Sequence, residues 1–121
     1  MRRRRWTAPN DPTAPARQVW AAVCPLDPWP ARWRVRWAGF MRGALGLTSY
    51  TDRRIFLSYG DARHHHRVLG PLTNKGPVET LLHEFVHVRC PRLRHGAEFL
   101  ALENALRARA GFAPAPTWYC A

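Results

Sequence analysis

The run Pro77-Val78-Glu79-Thr80-Leu81-Leu82-His83-Glu84-Phe85-Val86-His87-Val88-Arg89-Cys90 decides how the rest of the chain is read. At about 100° per residue, Val78, Leu81, Leu82, Phe85, Val86 and Val88 fall in one arc of a helical wheel, and Glu79, Thr80, His83, Glu84 and His87 fill the other. The two sets do not interleave, which predicts an amphipathic helix over residues 77–90. Pro77 suits a first helical position, and Pro91 stops the helix because it restricts its predecessor and cannot continue the hydrogen-bond ladder.

Inside this helix, His83-Glu84-Phe85-Val86-His87 has H-E-x-x-H spacing. Residues four apart lie about 40° apart around the axis and about 6 Å along it, so both imidazoles can reach one ion. Glu84, about 100° round from His83, reaches a water beside the ion rather than the ion, which is where a general base is needed. For a chain with this content of His and Glu, the spacing arises by chance with a frequency of roughly 0.01. A histidine satisfied within the core fits poorly with the segregated arcs. A solvated polar helix face remains the plain alternative.

A catalytic zinc takes three protein ligands and keeps one position open. His95 is the best candidate for the third ligand on spacing, because the chain must reverse after Pro91 and can return it to the same side. Glu98 and Glu103 are its competitors. The next helix is expected over residues 96–110, with Phe99, Leu102 and Leu106 as its apolar stripe, a Glu103–Arg107 pair at i,i+4, and Gly111 as its stop.

Upstream, Val19, Trp20 and Val23 recur at helical spacing within residues 14–23, before Cys24-Pro25-Leu26-Asp27-Pro28-Trp29-Pro30 ends that helix. Arg32-Trp33-Arg34-Val35-Arg36-Trp37 alternates strictly, the pattern of a strand with one apolar and one arginine face. Further strands are expected near residues 44–50 and 55–59, joined by Thr51-Asp52-Arg53-Arg54, giving a three-stranded antiparallel meander. Residues 60–76, with His64-His65-His66, show no period and read as an exposed loop. In the tail, Trp118 and Tyr119 are expected to pack back on the domain.

The chain of 121 residues suits one domain over 14–121, preceded by a flexible basic arm over 1–13. Met1-Arg2-Arg3-Arg4-Arg5-Trp6 is followed by no apolar core, so the arm does not read as a secretory leader, and no apolar run is long enough to span a membrane. Cys24, Cys90 and Cys120 form no C-x-x-C pair and read as small buried hydrophobes in a reducing cytoplasm. The net charge of +11, carried almost wholly by arginine, fits an anionic partner such as DNA, met through the arm and the face of Arg32, Arg34 and Arg36. A general compositional bias toward arginine would give the same count.

Ile55-Phe56-Leu57-Ser58, the helix Val78-Glu79-Thr80-Leu81-Leu82-His83-Glu84-Phe85-Val86-His87 and the segment His95-Gly96-Ala97-Glu98-Phe99 together resemble the SprT/Spartan metallopeptidases. The resemblance spans residues 44–106. It implies an α+β, minimal zincin-like domain in which a small three-stranded antiparallel sheet packs with the H-E-x-x-H helix and flanking helices. It implies Zn2+ held by His83, His87 and His95, with Glu84 as catalytic base. Gly96 and Phe99 match positions that shape the turn and anchor the following helix. The expected activity is hydrolysis of peptide bonds in a protein substrate, including DNA-associated proteins. The alternative is a basic DNA-binding protein with a structural, catalytically inactive zinc site. Tyr50, Tyr59, Tyr119 and the loop histidines are all conceivable oxyanion donors.

Overall fold

The computed structural model describes residues 11–38, 44–58 and 77–116. Its elements run α1 (Thr13–Val23), β1 (Arg34–Ala38), β2 (Gly46–Ser49), β3 (Arg54–Ser58), α2 (Pro77–Arg89) and α3 (Ala97–Arg109). The α+β composition matches the expectation, with small shifts at the element ends. The strand expected from Arg32 begins at Arg34, because Arg32 takes a left-handed backbone with φ of 68° and the Trp33 N–H closes a turn on the Pro30 carbonyl. Residues 1–10, the histidine loop with Tyr59, and the tail carrying Trp118, Tyr119 and Cys120 lie outside the described residues. Among the described residues no helix is long and apolar enough to cross a membrane.

The sheet is not an antiparallel meander. Its order is β1-β3-β2, with β3 in the middle, antiparallel to β2 and parallel to β1. Period-two patterning fixes which face of a strand is buried but not which neighbour it pairs with, so this correction concerns a property that alternation does not carry. The placement follows burial. β3 contributes Ile55 and Leu57 to the core and is flanked on both sides, whereas β2 is short, leaves Leu47 51% exposed and takes an edge. Pairs Val35–Ile55 and Trp37–Leu57 set the register of the parallel half, and Thr48–Ile55 that of the antiparallel half.

Asp11 and Thr13, expected to belong to the arm, join α1 to β1. Asp11 Oδ1 accepts from the Thr13 N–H at 3.0 Å and from its hydroxyl at 2.6 Å, and the Val35 N–H donates to Thr13 Oγ1 at 2.9 Å. Asp11 Oδ2 accepts from Arg36 Nη1 at 2.9 Å and lies 3.6 Å from Arg34 Nη1. Two arginines of the outward β1 face are thus paired within the fold. Burial pushes the Asp11 carboxyl upward, but the Thr13 hydrogen bonds and the two guanidiniums outweigh it and hold the pKa below the usual value.

The core lies between the sheet and the helices. Val19, Trp20 and Val23 of α1 and Val35, Ile55 and Leu57 of the sheet enclose Val78, Leu81, Leu82, Phe85 and Val86 of α2. Phe85 meets Trp20 and Trp29 edge-on, at centroid distances of 4.9 and 5.8 Å. Each indole N–H is satisfied nearby, Trp20 by the Asp27 carbonyl and Trp29 by the Trp33 carbonyl.

α3 buries a different stripe from the one expected. Phe99 and Leu106 face the core, but Leu102 is 39% exposed and Glu103 is fully buried. On the wheel Glu103 lies about 40° to one side of Phe99 and Leu102 about 60° to the other, so the helix has rolled toward the acid. Arg107 does not pair with Glu103; it lies 3.6 Å from Glu79 and donates to the Ala113 carbonyl at 2.7 Å. Gly111, with φ of 84°, supplies the left-handed residue that ends the helix.

Candidate metal centre

Much of the polar arc of α2 is buried rather than solvated: Thr80, His83 and Glu84 are covered, while Glu79 and His87 are half-buried. β2 lies against one side of this arc, and α3 covers the other. Burying imidazole and carboxylate groups requires partners, and each has one. The turn after α2 closes through the Cys90 N–H on the Val86 carbonyl and the Leu93 N–H on the Cys90 carbonyl, and it returns His95 over the helix.

His95 Nε2 lies 2.9 Å from His87 Nε2 and 3.2 Å from His83 Nε2. The ligand atoms of the three residues all lie within 4.8 Å of one another, and the triad could hold a metal ion. Nitrogens about 2.0–2.1 Å from a tetrahedral ion stand about 3.3 Å apart, so the spacing fits a shared ion. The Phe99 ring forms a floor, with its centroid 4.8, 4.7 and 4.8 Å from the rings of His83, His87 and His95. Burial and the neighbouring imidazoles lower the pKa of His87 to about 4, and burial with His83 lowers that of His95. Both rings are therefore neutral at pH 7 and their nitrogens are open to a metal.

Of the competing ligands, Glu98 is exposed and stands outside the triad. Glu103 approaches from behind, with Oε1 2.6 Å from Nδ1 of His83, the nitrogen turned away from the other two histidines.

Glu84 is 4% exposed, and its two oxygens differ. Oε1 accepts from the Thr48 hydroxyl at 2.9 Å, while Oε2 lies 4.0 Å from His83 Nε2 on the triad side. Burial raises the Glu84 pKa, Glu103 adds to that, and His83 and Thr48 pull it back. A buried carboxyl with one oxygen turned to three imidazoles that could hold an ion is placed as a base that accepts and returns a proton would be. Gly46 permits this close approach of β2: a Cβ there would stand 2.6 Å from Thr80 Cγ2 and 3.2 Å from Glu84 Oε2.

Tyr50 is the one oxyanion candidate among the described residues. Its hydroxyl donates to the His87 carbonyl at 3.1 Å, and burial followed by the Glu84 charge raises its pKa. Thr48, Gly46 and the anchoring place of Glu103 carry no motif in the sequence. Only the wheel position of Glu103, close to that of Phe99, could have pointed to its burial. The chain matches no protein-family model, no curated protein and no solved structure in the comparisons made.

Proposed function

We propose that this protein is a hydrolase that uses a single metal ion on an H-E-x-x-H helix. The observation that carries this reading is the convergence of three imidazole Nε2 atoms beside a buried glutamate whose unshared oxygen is turned toward them. Within that class, the residue pattern favours a zinc metalloendopeptidase of SprT-like type with a minimal zincin-like fold. Three imidazoles and no thiolate suit zinc.

His83, His87 and His95 would hold the ion, and zinc, when bound, polarises a scissile carbonyl and acidifies the attacking water. Glu84 takes the proton of that water on Oε2 and delivers it to the leaving amine, while Thr48 keeps Oε1 occupied and the carboxylate plane fixed. Phe99 keeps the three rings in place and shields their inner side. The net charge of +11 supports DNA-associated proteins as the substrate class.

The test is Glu84→Gln, assayed for cleavage of a panel of basic DNA-binding proteins and for zinc by elemental analysis. The expected result is one zinc per chain in both proteins, with turnover reduced by about 10²–10⁴-fold in the variant. Equal cleavage by both would overturn the mechanism. Zinc bound without cleavage by the wild type would favour the structural-zinc, DNA-binding alternative.

A further inference from the structure

Glu103 is a fully buried carboxylate on a helix face otherwise made of Phe99 and Leu106. Its Oε1 lies 2.6 Å from His83 Nδ1, and its Oε2 has no hydrogen-bond partner among the described residues. A carboxylate buried with one oxygen unserved is among the costlier groups a core can hold, and a leucine would fill the place without that cost. Arg107, one turn further along α3, is directed to Glu79 and the Ala113 carbonyl and gives Glu103 no counter-charge. Packing therefore does not account for an acid at this position.

The hydrogen bond does. With Glu103 ionised, the carboxylate only accepts, which puts the shared proton on His83 Nδ1 and turns the lone pair of Nε2 toward His87 and His95. We propose that Glu103 is a positioning residue for the metal centre. It fixes the tautomer and rotation of His83 that present Nε2 to the ion, and it places a negative charge behind that ligand, strengthening its donation. Among the described residues no carboxylate hydrogen-bonds to His87 or His95, so His83 is the one anchored ligand. The inference rests on the reading of the triad as a metal centre and is independent of peptidase activity.

Glu103→Gln and Glu103→Leu test it through zinc affinity by chelator competition, the visible spectrum of the cobalt-substituted protein and the melting temperature of the metal-free protein. In Glu103→Leu the zinc Kd is expected to rise about 10- to 100-fold. Glu103→Gln, whose amide oxygen still accepts from Nδ1, is expected to show a smaller rise, and the cobalt bands to shift in both. In the metal-free Leu variant the relief of a buried carboxylate is offset by the loss of the acceptor for His83 Nδ1, so its melting temperature is expected to stay close to that of the wild type. An unchanged zinc Kd and cobalt spectrum in both folded variants would overturn the proposal, as would a metal-free Leu variant that melts lower while binding zinc normally. Wild type that takes up neither metal would overturn the metal-centre reading and this inference together. Weakened zinc binding in the variants, beside a wild type that binds zinc and cleaves nothing, would support the role of Glu103 while overturning the peptidase.

Discussion

In the proposed mechanism, Thr48 decides which oxygen of Glu84 is left to do chemistry. Its hydroxyl occupies Oε1 at 2.9 Å, and the remaining oxygen faces the imidazoles. Thr48→Val keeps the shape and removes the donor, so the carboxylate loses its fixed plane and a stabilising hydrogen bond. The expected outcome is a kcat lower by about tenfold, equivalent to about 1.4 kcal/mol, with zinc content unchanged. Steady-state kinetics beside elemental analysis check it, and an unchanged kcat would remove Thr48 from the proposed mechanism. None of this was readable from the chain, because Thr48 and Glu84 stand 36 positions apart and meet only through the sheet order. The histidines were more legible. His83 and His87 are one helical turn apart, and His95 follows from a forced reversal at Pro91, so the relations among them are local.

At the scale of elements, α2 and α3 were legible in length and position, because proline and glycine punctuate them and the wheel of α2 separates cleanly. The roll of α3 was not. Choosing Leu102 over Glu103 for the buried stripe follows hydrophobicity, while the fold satisfies a hydrogen bond to His83 instead. The strand pairing failed for a different reason, since alternation is blind to neighbours. The junction of α1 with β1 carries its own pH dependence. The Asp11 pKa is lowered in the fold, so its contribution is present above the ordinary value of 3.8 and is lost as pH falls through the lower folded value. Asp11→Asn keeps an oxygen that accepts from Thr13 but removes the charge that faces Arg34 and Arg36, so it is expected to lower stability at pH 7 by up to about 1 kcal/mol, the range of part-exposed ion pairs. In chemical denaturation the gap to wild type should close as pH falls below 3.8. A gap that persisted unchanged at low pH would show that the guanidinium pairs are not its source.

For the whole molecule, the proposed ion ties α2 to the turn that precedes α3, and through Glu103 to the middle of α3. Anything that binds the folded state alone stabilises it by mass action. At a free zinc concentration of about 100 times Kd the gain is about 2.7 kcal/mol, which for a domain of this size raises Tm by on the order of 10 °C or more. Scanning calorimetry across a zinc titration is expected to show a Tm that climbs with concentration and falls back on chelation. A Tm indifferent to zinc would contradict a centre shared by two helices.

His83, His87, His95 and Glu103 all come from α2, the turn after it and α3, while Thr48 and Gly46 come from the edge strand β2. Closing a short loop is quick and loses little entropy, whereas docking a distant strand must wait for long-range contacts. In the proposed mechanism, ion capture and base alignment thus depend on different elements of the fold. A molecule whose edge strand is undocked would hold the ligand set without the aligned base.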